Sequence, residues 1–127
     1  MRTEYKPAID ALLACIAACD HCATACLQED EVKKMARCIH LDLDCADYCR
    51  LTASFLSKGS EHARLVLRQC VEICEACAVE CERHPHDHCQ ACAAACRRCM
   101  EVCQELIPKT DPLSELLAAS AAVDTDE

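Results

Sequence analysis

Apolar positions recur along this chain at alternating steps of three and four, and nearly all of them are cysteine. They run Cys15, Cys19, Cys22, Cys26; then Cys38, Cys45, Cys49; then Cys70, Cys74, Cys77, Cys81; then Cys89, Cys92, Cys96, Cys99, Cys103. That spacing is the core-facing stripe of an α-helix, where Leu and Ile normally stand. Short polar breaks cut the stripes into four helices. The first is expected from near Pro7, a residue suited to a first helical position, to near Leu27. Gln28-Glu29-Asp30 is the first break, with Asp30 placed to cap a second helix running from about Glu31 to Ser57. In Lys58-Gly59-Ser60, Gly59 can take a positive φ and Ser60 can cap a third helix, from about Glu61 to Arg83. Pro85 in His84-Pro85-His86-Asp87 stops that helix, and a fourth follows from about His88 to Ile107. Loops this short force neighbouring helices antiparallel. The expected fold is all-α: an up-down-up-down antiparallel four-helix bundle over residues 1–107, with a Cys-lined core and a C-terminal tail over 108–127. The tail reads as a short docked helix or a frayed terminus. It holds no cysteine.

The stripes extend beyond the sulfurs. They pass through Ala8 and Leu12, through Thr52 and Leu56, through Ala63 and Leu67, and on to Leu106. With antiparallel neighbours these residues share one end of the bundle and form a hydrocarbon plug. The opposite end has no plug. There the stripes run out at Met35 and at His84, with His86 and His88 beside it. The lumen is therefore expected to be a blind tube with thioether and imidazole at its mouth, both competent copper ligands. One position breaks the stripe: between Cys38 and Cys45 a cysteine is expected at 42, and the residue is Asp42. A carboxylate on a core stripe is costly unless paired or coordinated. Asp42 either binds metal or hydrogen-bonds in the lumen, or the helix turns it toward another partner or water.

Composition narrows the chemistry. The 127 residues are 53% hydrophobic, but Cys and Ala supply much of that, and there is one Phe and no Trp to fill an interior. A net charge of −9 argues against nucleic acid as a partner and suits a cationic cargo. No apolar leader segment follows Met-Arg-Thr-Glu-Tyr-Lys-Pro, and no run of about 18 apolar residues stands out, so a cytoplasmic protein without a membrane partner is expected. Thiols stay reduced in that compartment. His21, His40 and His62 read as surface or helix-end residues, Met100 as packing, and Glu72, Glu75, Arg97 and Arg98 as solvated faces.

Three chemistries compete for the thiols. Disulfides fit poorly, because residues four apart on a helix hold their Cβ atoms about 5–6 Å apart and a disulfide wants roughly 3.5–4.5 Å. Structural zinc wants closed tetrahedra of four ligands and does not require unbroken helical stripes. Iron–sulfur sites use loop spacings ending in Cys-Pro, which this chain lacks. Cu(I) is soft, thiophilic and content with two or three ligands. Seven pairs four residues apart offer it thiolates: Cys15/Cys19, Cys22/Cys26, Cys45/Cys49, Cys70/Cys74, Cys77/Cys81, Cys92/Cys96 and Cys99/Cys103. Cys38 has Asp42 as its partner at that step, and Cys89 pairs with Cys92 or across helices. Sixteen bare thiolates in one lumen would be prohibitive. One Cu(I) per thiolate restores neutrality, so the expected load is about 16 ions, which means storage and buffering rather than catalysis. The rivals are a zinc or general thiol–metal buffer, and a dithiol redox protein built on Cys19-Asp-His-Cys22, which lacks a βαβ context.

Cys-x3-Cys-x2-Cys-x3-Cys recurs on the first, third and fourth helices, extended by one step on the last. With these stripes and short loops, residues 7–107 resemble the bacterial copper storage proteins, in their cytosolic branch. The resemblance implies Cu(I) storage, many ions per chain, and a homotetramer. It carries the family's lumen ligands onto the sixteen cysteines, and its His/Met mouth onto Met35 and His84 and, more loosely, onto His88. Asp42 departs from an all-cysteine stripe.

Overall fold

The computed structural model describes residues 3–110. Four helices fill most of that span: α1 (Lys6–Cys26), α2 (Ala36–Ser57), α3 (Ala63–Glu82) and α4 (Asp87–Leu106). Helix α1 packs on α2 and α4, and α3 packs on the same two, so the helices stand at the corners of a square. Short hairpins make each helix antiparallel to the next. The expected tail beyond residue 110 lies outside the described residues.

Local chemistry explains most of the helix ends. Pro7 lies in the first turn of α1, where a missing N–H costs nothing. After α2, Gly59 takes φ 65° and its N–H reaches the Leu56 carbonyl. The expected cap at Ser60 does not form: the N-cap position of α3 is His62, and the Ser60 hydroxyl oxygen instead accepts from the His62 N–H at 3.0 Å in the turn before the helix. Helix α3 ends at Glu82, and His86 is extended (φ −63°, ψ 141°) ahead of α4.

The start of α2 differs from expectation. Asp30 does not cap it. The chain instead makes a 3₁₀ turn at Val32–Met35, with the Lys34 N–H on the Glu31 carbonyl at 3.0 Å, and α2 begins at Ala36. The tighter turn carries Met35 inward, where it is 2% exposed. A second difference concerns α1. Within Thr3–Cys26 an 18-residue window reaches a mean hydropathy of 1.5, enough by length and composition to cross a bilayer. The cysteine face of α1 is turned into the bundle core, where Cys15, Cys19, Cys22 and Cys26 are buried.

All sixteen cysteines are buried. Their stripes meet on the bundle axis. At the end holding the α2–α3 hairpin, Leu12, Leu56 and Leu67 are fully buried and Leu106 nearly so, joined by Ala8, Ala63 and Tyr5. This is the hydrocarbon plug. At the other end the α1–α2 and α3–α4 connections come together.

Candidate metal centre

The lumen is a column of thiols in mutual contact. Along single helices, Sγ–Sγ separations are 3.9 Å for Cys15/Cys19, Cys22/Cys26 and Cys70/Cys74, and 4.0 Å for Cys45/Cys49 and Cys77/Cys81. Across helices they are as short or shorter: 3.6 Å for Cys38–Cys81 and Cys19–Cys92, and 3.7 Å for Cys15–Cys96 and Cys45–Cys74. Cys89, with no partner four residues away, meets Cys22 at 3.8 Å and Cys26 at 3.9 Å across the bundle. Every cysteine is a free thiol.

These contacts form overlapping quartets. Cys15, Cys49, Cys74 and Cys99 make one near the plug, and Cys15, Cys19, Cys45 and Cys96 make the next. Cys19, Cys77, Cys92 and Cys96 continue the column, and Cys22, Cys26, Cys38 and Cys89 stand near the mouth. Within each quartet the sulfurs lie within 4.8 Å of one another. Because Cys15, Cys19 and Cys96 each belong to two quartets, adjoining sites share ligands. Shared sulfurs suit bridged clusters of a low-coordinate cation better than separate closed tetrahedra.

Asp42 sits inside the column and is fully buried. Its Oδ1 accepts from Cys77, Cys81 and Cys92, each at 3.3 Å, and Oδ2 faces Cys38 at 3.8 Å. It thus takes the place of a sulfur, with Cys22, Cys81 and Cys92 completing its quartet. Burial, then the nearby Cys92 sulfur, pushes its carboxyl up to about 8. Burial likewise pushes Cys26 up to about 11 and raises Cys89, so these thiols near the mouth keep their protons in the metal-free protein.

The mouth holds the expected thioether and imidazoles in a revised arrangement. Met35, His84 and His86 line a cleft of about 530 Å³ with Glu29, Glu31 and Lys34. The imidazole against the thiols is that of His88. Its Nδ1 lies 3.5 Å from Cys89 Sγ, 3.6 Å from Cys22 and 3.8 Å from Cys26. His84, which continues the α3 stripe in sequence, instead holds Glu80 through Nε2 at 2.8 Å. The stripe does not carry to it because α3 has already ended. Two carboxylates that the stripes do not mark organise this end. Glu80 is buried and also pairs with Arg37 of α2 at 3.3 Å. Glu29, in the α1–α2 connection, contacts both His86 and His88. The signal for Glu29 is present in the sequence: antiparallel hairpins bring an acidic break against a histidine-rich one.

Comparison with known proteins agrees with this geometry. A family model described as copper storage protein matches residues 1–108. A cysteine-rich protein of Bacillus subtilis is 44% identical over 104 residues, spanning 81% of this chain and 96% of the relative. The Cu(I)-bound copper storage protein BsCsp3 superposes with a TM-score of 0.80 at 41% identity, over 83% of this chain and 99% of that one. A cytosolic copper storage protein from Streptomyces lividans, with five coppers, gives 0.80 at 43% identity, over 83% and 92% of the two chains.

Proposed function

Since the chain belongs to the copper storage protein family, we propose that it stores and buffers many Cu(I) ions on the thiolates of its lumen, without a catalytic role. The observation that carries this reading is a column of sixteen buried free thiols, most of them in quartets that share ligands along one axis. The ligands are Cys15, Cys19, Cys22, Cys26, Cys38, Cys45, Cys49, Cys70, Cys74, Cys77, Cys81, Cys89, Cys92, Cys96, Cys99 and Cys103. Asp42 serves as an oxygen donor within the column, and Met35, His84 and His88 as donors at the mouth. Cu(I) enters at that end because Leu12, Leu56, Leu67 and Leu106 close the other. It then moves inward by exchange between sulfurs less than about 4 Å apart. Relatives solved with copper, one of them cytosolic, support the cargo and a cytoplasmic setting.

A zinc buffer is the weaker reading. Four thiolates on one Zn(II) leave a net charge of −2 in a dry core, whereas one Cu(I) per thiolate leaves none. A dithiol enzyme at Cys19 and Cys22 is weaker still, because both sulfurs lie 0% exposed within the column. The likeness to the family also leads us to read the protein as a homotetramer involved in copper homeostasis, which sedimentation of the reduced protein and a copper-tolerance assay test. The deciding experiment titrates reduced protein with Cu(I) against a competing chelator. It should saturate near one ion per cysteine, about 16 per chain. Saturation at one or two ions would exclude storage, and so would preferential loading of Zn(II) in direct competition.

A further inference from the structure

Glu29 lies at the mouth, in the α1–α2 connection and facing the start of α4. Its backbone N–H is anchored on the Cys26 carbonyl at 3.2 Å. One carboxylate oxygen takes the His88 Nε2 at 3.0 Å, and the other lies 3.4 Å from the His86 Nε2. The two rings are stacked, with centroids 5.4 Å apart and planes at 29°. A single carboxylate therefore faces the same nitrogen of two adjacent imidazoles.

Neutral imidazole carries one proton, and the partner of each nitrogen decides where it sits. At His88 the choice follows from the hydrogen bond: Nε2 donates to Glu29, so Nδ1 keeps its lone pair. That lone pair points among Cys22, Cys26 and Cys89. At His86 it follows from electrostatics. A lone pair on Nε2 would face a negative oxygen, so the proton belongs there. Its Nδ1 is buried and has no hydrogen-bond partner. A proton on that atom would be a buried, unsatisfied donor, which is the costlier arrangement.

We infer that Glu29 is a positioning residue for Cu(I) uptake: it fixes His86 and His88 as Nε2–H tautomers, so that the His88 Nδ1 lone pair stands among the thiols of the mouth, where the incoming ion meets it. A carboxylate behind a metal-binding histidine also makes the imidazole a better donor and holds its plane. Its negative charge lowers the cost of bringing a cation through the mouth. The inference rests on the storage reading for its purpose, but the tautomers can be measured without metal.

The test compares wild type with Glu29→Ala and Glu29→Gln in the full reduced chain. Two-bond ¹⁵N–¹H correlation spectra of the metal-free proteins report the tautomer of each histidine. Wild type should show His86 and His88 as Nε2–H. Glu29→Gln should keep this at His88, since its amide oxygen still accepts, and Glu29→Ala should show mixed tautomers. In stopped flow with Cu(I) held by a chelator, Glu29→Ala should take up the first ions about tenfold more slowly, the low end of what loss of such a partner costs, and Glu29→Gln should recover most of the rate. Circular dichroism monitors the fold of each variant. Unchanged tautomers in Glu29→Ala, an unchanged rate, or a Glu29→Gln as slow as Glu29→Ala would each overturn the inference. A wild-type end point of one or two ions would instead sink the storage reading, and the metal-free spectra would still decide the role of Glu29.

Discussion

Among single residues, Asp42 differs most from its surroundings, and its chemistry predicts how the metal-free protein responds to pH. Three thiols donate to one oxygen of a fully buried carboxyl. Burial outweighs those donations and moves the group from 3.8 to about 8. The folded chain thus keeps a proton on Asp42 where the unfolded chain has lost it. For a group raised on folding, the associated stability is full below the unfolded value and is lost as pH rises through the folded one. For Asp42 that window runs from 3.8 to about 8. Asp42→Asn keeps the size and one acceptor but cannot ionise. In denaturant titrations of reduced apo protein near pH 5 and near pH 8, wild type should lose more stability than the variant, by a few kcal/mol at most. Cys26 and Cys89 are raised from 9.0, so the stability tied to them is lost only above this pH range. Equal losses would mean that Asp42 is ionised throughout this range.

Elements were legible in the sequence wherever a periodicity or a backbone requirement fixed them. A 3-4 step puts side chains on one helix face whatever lies opposite, so the sixteen lumen positions follow from spacing alone. The hydrocarbon plug follows from the same steps, because antiparallel order brings Leu12, Leu56, Leu67 and Leu106 to one end. Gly59 was equally readable, since a hairpin that reverses a helix within five residues is eased by a left-handed backbone at the helix end. Gly59→Ala meets nothing within 4 Å at its Cβ, so the cost is purely conformational at φ +65°. It should destabilise the bundle by about 1 kcal/mol, read as a melting point lower by roughly 4 °C, with copper capacity unchanged. Leu67→Ala should cost more, about 2–5 kcal/mol by chemical denaturation, because it leaves a cavity in the plug. A loss below 0.5 kcal/mol would show that the plug is loosely packed and does not close the tube. What the sequence left hidden depended on contacts between distant segments. The stripe ranked His84 above His88, yet the end of α3 at Glu82 leaves His84 to Glu80 and gives the thiols to His88. No local pattern announces that exchange, nor the 3₁₀ turn that buries Met35.

At the scale of the whole molecule, charge and packing together determine how the bundle can exist both empty and full. Protonated thiols pack as small apolar groups, so the column forms a core before any metal arrives. The metal-free protein should accordingly show the far-ultraviolet dichroism of a helical bundle, and an unfolded apo chain would contradict the structure. Filling then has to avoid building charge in a dry interior. A Cu(I) that binds and expels one proton leaves the charge of the lumen unchanged, and the next can do the same. A Zn(II) bound by four thiolates expels four protons and leaves the site at −2, so repeated loading becomes progressively costlier. Proton release therefore distinguishes the two fillings. In weakly buffered solution below the thiol range, titration with Cu(I) should release about one proton per ion until the sixteen thiols are consumed. Zn(II) should stop near four ions, each releasing about four protons. A Cu(I) ratio well below one would mean that thiolates stand ready-made in the empty lumen. A ratio near one that ended after only a few ions would confine the exchange to the quartet at the mouth and leave the deeper column as core packing.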